Sequence, residues 1–227
     1  PLAKDAKAHK MNSGVITIIG RPSAGKSTFL NTASGEKVSI VSSIPQTTRN
    51  AIRGIVNTTK GQIVFIDTPG YHKSEKKLNL KLQEIAKTRL EEGDAVLYLI
   101  DLSREFGEEE KNICSLLIPL QNKTVIGLNK ADLKSSKAEL VKKELLSLLP
   151  DIPQERIFEI SALKDEGINE ILSLLIELLP EGEALYPEDI YTDQDVVFRI
   201  TEIIREQAIL HTREESPLCR GRRCRNA

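Results

Sequence analysis

The chain has 227 residues, 40% hydrophobic and 29% charged, which is enough apolar content to close a core over one or two domains and too much for a disordered polypeptide. Its 32 Lys and Arg against 33 Asp and Glu leave a formal net charge of −1, so no overall field draws it to nucleic acid or acidic lipid and any such contact has to be local. The cysteines, Cys114, Cys219 and Cys224, are too few and too unevenly spaced for a disulfide framework or a zinc site, and no apolar run approaches the roughly 20 residues of a membrane span, so the expectation is a soluble protein of a reducing cytoplasm.

Residues 1–13 read as an N-terminal extension, because 1–10 carry lysines without the apolar stretch of a signal peptide and Met11 stands directly before the first strand-like run. From Gly14 onward, short apolar runs alternate with longer helical patterns. Strands are expected at 15–19, 52–57, 63–66, 95–100, 124–128 and 157–160. Most are nearly continuous Val, Ile and Leu, as strands buried on both faces require, whereas 52–57 alternates and suits a sheet edge. Helices are expected at 26–33, 78–92, 108–117, 137–149 and 168–179, where apolar residues recur three and four apart. This pattern predicts an α/β fold over 14–182, a six-stranded, mostly parallel sheet with helices on both faces. Pro180, Gly182 and Pro187 then break the periodicity, and 183–195 reads as a linker. A second unit is expected from 196 to 227. It opens with an amphipathic helix over 196–212, with Val197, Ile200, Ile204 and Ala208 on one side, and its remaining residues have no usable period.

The chemistry is expected at the strand ends. After the first strand come Gly20, Arg21, Pro22, Ser23, Ala24, Gly25, Lys26 and Ser27, with Thr28 following, the spacing of a phosphate-binding loop that opens a helix. Small residues let backbone N–H groups wrap phosphates, and the helix N-terminus adds a favourable partial charge. Lys26 would reach the β- and γ-phosphates, and the Ser27 hydroxyl would ligate Mg2+, a cation that prefers oxygen donors. After the third strand, Asp67, Thr68, Pro69 and Gly70 offer a carboxylate for the magnesium shell and a glycine amide for the γ-phosphate. After the fifth stand Asn129, Lys130, Ala131 and Asp132, and after the sixth Ser161, Ala162 and Leu163. A carboxylate accepts both the N1–H and the N2–H of guanine, and adenine has no matching donor pair, so Asp132 selects guanine, with the Asn129 side chain and Ala162 backbone supporting the base.

These ordered motifs resemble the nucleotide signature of the translation-factor class of P-loop GTPases. With Gln46, Thr47, Thr48 and Arg49, with Tyr71 and His72 after Gly70, and with Leu179, Pro180, Glu181 and Gly182 leading to Tyr186, Pro187, Glu188 and Asp189, the chain resembles the Era family of bacterial GTPases over about 15–215. The resemblance implies that Lys26, Thr48 and Gly70 serve catalysis and that Ser27, Thr48 and Asp67 hold Mg2+. It also implies nucleotide-dependent switch segments near 37–50 and 70–78. GTP and GDP are the implied ligands, and the small ribosomal subunit with its RNA is the implied partner. The implied location is cytoplasmic, with peripheral association at the inner face of the cell membrane as an addition, and DNA is not expected.

The chain departs from that family at several places. Tyr71 stands where signalling GTPases carry a water-orienting glutamine, so slow intrinsic hydrolysis is expected. Ser23 replaces the family's asparagine, which is linked to potassium binding, so potassium stimulation is not expected. The 196–206 segment resembles the first helix of an RNA-binding KH domain, but no pair of glycines three apart follows to clamp a nucleic-acid backbone, and the ending with Arg220, Arg222, Arg223 and Arg225 resembles nothing in the family. An incomplete KH domain is therefore expected, through truncation or a shifted reading frame, with weakened RNA recognition. Two other readings stay open. One is a nucleotide-gated binding module with negligible turnover, and the other is a GTPase of the same class, such as one for transfer-RNA modification.

Overall fold

The computed structural model describes residues 11–39, 52–67, 90, 92–133 and 137–211. Its elements run β1 (Met11–Ile19), α1 (Lys26–Ser34), β2 (Ile52–Asn57), β3 (Gly61–Asp67), β4 (Ala95–Asp101), α2 (Glu108–Leu117), β5 (Thr124–Asn129), α3 (Ala138–Leu148), β6 (Ile157–Ile160), α4 (Ile168–Glu177), β7 (Glu181–Gly182) and α5 (Val196–His211), with short 3-10 turns before β5 and β6. The strands pair in the order β2-β3-β1-β4-β5-β6, and β7 joins the start of β1. Among the described strands, only β2 against β3 and β7 against β1 are antiparallel.

Period-two alternation within single strands feeds two cores. Ala95, Leu97 and Leu99 of β4 pack with Phe29 and Leu30 of α1 and with Ile171 and Leu175 of α4. Their neighbours Val96, Tyr98 and Ile100 point to the opposite face, against Ile113 and Leu117 of α2 and Val141 and Leu145 of α3. Such a strand is apolar at every position because each face has its own helices to cover it.

The structure extends the expected elements at several points. β1 begins at Met11, inside the segment read as an extension, because Asn12 pairs with both Gly61 of β3 and Glu181 of β7. β7 makes a seventh strand that the pattern did not reveal, since two residues are too short to carry a period. Edge strand β2 lies where its alternation placed it, and the segment read as a linker covers it. The Ile55 N–H donates to the Tyr191 carbonyl at 2.9 Å. The Thr192 hydroxyl donates to the Arg53 carbonyl at 2.8 Å, and Arg53 pairs with Asp193 at 2.7 Å. An uncovered edge leaves backbone groups without partners, and these contacts supply them. Asp195 then caps α5 by accepting the Val197 N–H at 2.7 Å. Of the helix expected over 78–92, only Leu90 and Glu92 are among the described residues, and both are helical.

The parallel strands β1, β3, β4, β5 and β6 all run the same way, so their C-terminal ends carry Gly20, Asp67, Asp101, Asn129 and Ser161 to one rim of the sheet. A crevice outside that rim is where doubly wound folds bind ligands.

Candidate functional site

The phosphate loop is curved by backbone that most residues avoid. Ser23 and Gly25 both adopt left-handed conformations, with φ of 64° and 92°. At Gly20 a Cβ would lie 2.4 Å from the Leu99 carbonyl oxygen, so only glycine lets the loop cross the end of β4. The Arg21 carbonyl accepts both the Ala24 N–H at 3.2 Å and the Lys26 ammonium at 2.8 Å. Lys26 also donates to the Gly20 carbonyl at 3.0 Å, which closes the loop around a side chain only 6% exposed. Burial pushes the Lys26 pKa down to about 8, and the neighbouring Asp67 carboxylate only partly offsets it.

Asp67, fully buried at the end of β3, accepts the hydroxyls of Ser27 at 2.9 Å and Ser39 at 3.2 Å. Asn31 of α1 holds Ser39 there: its amide oxygen accepts the N–H groups of Val38 and Ser39, and its amide nitrogen donates to the Ser39 carbonyl. A hydroxyl beside a carboxylate is a hard-oxygen donor pair. Among the described residues no group of three His, Cys, Asp or Glu could hold a metal, so Ser27 and Asp67 would supply only part of a cation's oxygen shell.

Asn129 joins this region to the base side. Its amide nitrogen donates to the Ala24 carbonyl at 2.8 Å, and its oxygen accepts the N–H groups of Lys130 at 2.8 Å and Ala162 at 3.0 Å. The two groups expected to support the base are thus bonded to each other, Ala162 N–H to the Asn129 amide oxygen. Gly25, Thr28, Asn129, Lys130, Asp132, Ser161, Ala162 and Leu163 line a cavity of about 160 Å3. The Asp132 side chain is 10% exposed, with the Lys164 ammonium 3.9 Å away. Leu163 stands exposed at the rim, while Ser161 folds its own turn by accepting the Lys164 N–H. Thr32 of α1 steadies that turn with a 2.7 Å bond to the Ala162 carbonyl.

The structure therefore gathers Gly20, Arg21, Pro22, Ser23, Ala24, Gly25, Lys26, Ser27, Thr28, Asp67, Asn129, Lys130, Asp132, Ser161, Ala162 and Leu163 along one rim. Thr48, Thr68, Pro69, Gly70 and Tyr71 lie outside the described residues. The structure adds residues that the sequence reading passed over. Asp101, at the end of β4, pairs with the Lys130 ammonium at 2.6 Å; its hydrogen bonds from Lys130 and Ser103 outweigh burial and hold its carboxyl below the usual range. Ending a buried strand, as Asp67 does, was its available signal. Glu109 and Glu110 of α2 reach Arg21, a contact that local pattern could not reveal.

A family model described as "50S ribosome-binding GTPase" matches residues 15–130. A GTPase Era of Treponema denticola is 98% identical over 207 residues, covering 91% of this chain and 70% of the relative. The chain belongs to the Era family of GTPases. GTPase Era of Treponema pallidum is 49% identical, with 90% of this chain and 70% of the relative covered. Among solved structures, an Era in complex with MgGDPNP and a fragment of 16S ribosomal RNA superposes with a TM-score of 0.82 at 36% identity, over 92% of this chain and 70% of that one. Aquifex aeolicus Era bound to GDP and AlF4− gives 0.82 at 37% identity, over 91% and 70%. The Era fold is thus the fold of this chain, its chemistry is that of a GTP-binding GTPase, and a transfer-RNA modification GTPase is set aside. Among the described residues no helix is long and apolar enough to cross a membrane.

Proposed function

We propose that this member of the Era family binds GTP and GDP along the rim described above, hydrolyses GTP to GDP and phosphate, and uses the exchange as a conformational switch. Asn129 carries the proposal, because its amide ties the phosphate loop to the base loops and so fixes the Lys26 ammonium relative to the Asp132 carboxylate. The N–H groups of the phosphate loop and Lys26 take the phosphates. Ser27 and Asp67 hold Mg2+, joined by Thr48 in the triphosphate state, and Gly70 senses the γ-phosphate. When bound, Mg2+ neutralises phosphate charge during transfer. Asp132 accepts the guanine N1–H and N2–H. Tyr71 cannot orient water as a carboxamide does, so an activating partner is expected to raise a slow intrinsic rate.

The Era structure that carries 16S ribosomal RNA supports the small ribosomal subunit and its RNA as the partner, with a role in subunit assembly and ribosomal RNA maturation. A GTPase unit over 14–182, a connecting segment over 183–195 and a second unit from 196 fit that role. The proposed location is the cytoplasm, with peripheral contact at the inner face of the cell membrane.

Titration calorimetry with guanine and xanthine diphosphates tests the site. Asp132→Asn should lose GDP affinity by about a hundredfold or more and gain affinity for the xanthine nucleotide, since the amide presents one donor where the carboxylate presents acceptors. Unchanged GDP affinity refutes the assignment.

A further inference from the structure

Arg21 is the one long charged side chain in the phosphate loop before Lys26, and its two ends do different things. Its carbonyl is the pivot of the loop, accepting Ala24 N–H and the Lys26 ammonium. Its guanidinium leaves the loop and reaches α2, where Nη1 lies 2.8 Å from Glu110 Oε1 and Nε 2.5 Å from Glu109 Oε2. Glu110 is only 4% exposed at its side chain. Its second oxygen, Oε2, accepts the Gly107 N–H at 2.8 Å and so caps the helix on which it stands. One buried carboxylate therefore fixes α2 with one oxygen and the phosphate loop with the other. Burial draws the Arg21 pKa down, but the Glu110 hydrogen bond and charge, followed by those of Glu109, outweigh it and hold the guanidinium above its ordinary value.

We propose that Glu110 is a positioning residue for phosphate binding, acting through Arg21 to hold the carbonyl that presents Lys26. It touches no nucleotide. Its capped helix N-terminus is a rigid post, and the charge-assisted bond to Arg21 keeps the left-handed turn at Ser23 and Gly25 from relaxing when the Lys26 ammonium leaves the loop carbonyls for a phosphate. The proposal rests on the assignment of this loop to phosphates, and a separate control tests that assignment.

Glu110→Gln is the informative variant, because a glutamine oxygen still caps Gly107 while the charge facing Arg21 is lost. Affinities for GDP and GMP are measured by calorimetry for the whole chain, its Glu110→Gln, Arg21→Gln and double variants, and Lys26→Ala. The β-phosphate is what Lys26 takes, so GDP affinity should fall about tenfold in Glu110→Gln while GMP affinity stays within about twofold. Arg21→Gln should show the same split, and the double variant should lose no more than Arg21→Gln alone, since Glu110 acts only through Arg21. Equal losses for GDP and GMP, additive losses in the double variant, or no loss in Glu110→Gln would each overturn the positioning role. Lys26→Ala with GDP affinity intact would instead overturn the assignment of the loop, whatever Glu110 does.

Discussion

The phosphate side and the base side of this site sit on one rim and are built on different principles. On the phosphate side, backbone curvature and a buried ammonium dominate: left-handed Ser23 and Gly25 bend the chain, and Lys26 is held by carbonyls at a cost in desolvation. The base side also has left-handed backbone, at Lys130 with φ 67° and Asp165 with φ 58°, but there hydrogen bonds of the Asn129 and Thr32 side chains set the geometry. The first region holds a desolvated ammonium, whereas the second is tied together by hydrogen bonds among its own groups.

That contrast breaks most visibly under pH. An ordinary Lys pKa of 10.5 falls to about 8 at Lys26 in the folded, nucleotide-free protein, so folding disfavours its charged form. The penalty is fully present below pH 8 and disappears as pH rises towards 10.5. Relative to a Lys26→Met variant, the protein should gain up to about 3 kcal/mol of stability across that window, read by urea unfolding. GDP should flatten the gain, because bound phosphates favour the ammonium. A profile identical to that of Lys26→Met would mean the phosphate side carries no such penalty.

Gly25 is where the two sides touch. A Cβ there would lie 2.1 Å from the Asn129 amide nitrogen, on a backbone with φ of 92°. Gly25→Ala should therefore cost about 2 kcal/mol of stability and weaken GDP and GMP binding together, by thermal melting and calorimetry. A smaller effect sharpens the comparison from the base side alone. Thr32→Val leaves the Ala162 carbonyl without its donor and should cost about 1 kcal/mol, with guanine and xanthine nucleotides weakened alike and the pH profile unchanged. A shift in the pH window of Lys26 in this variant would show that the two sides are not separable.

Two helices show how far a periodic stripe can be read. α4 and α5 both present aliphatic residues at helical spacing. In α4 the residues Ile168, Ile171, Leu172, Leu175 and Ile176 are buried against the sheet, while in α5 Val196, Val197, Ile200, Ile203 and Ile204 are exposed. The α5 face that is covered is instead its polar one, where Glu206 is buried and paired with Lys37, next to the Ser39 turn. Periodicity predicted both helices correctly. Which face meets protein depends on what lies opposite, and no local pattern records that.

The phosphate loop, the strand-helix alternation and the motif that carries Asp132, proposed above to select guanine, were legible because each depends on residues adjacent in the chain: a turn needs particular backbone angles and a strand needs a two-residue period. The partners of those residues were not legible. Asn129 meets Ala24 across 105 positions, Thr32 meets Ala162 across 130, and Arg21 meets Glu110 across 89. Those distances in sequence close only once the strand order β2-β3-β1-β4-β5-β6 is set, since it brings the ends of β1, β4 and β5 side by side. Sequence alone pointed to the groups proposed to bind a guanine nucleotide, through local geometry and side-chain chemistry. Tertiary structure alone decided which other groups hold them in place, because a hydrogen bond requires approach to about 3 Å and only the folded sheet brings such distant residues that close.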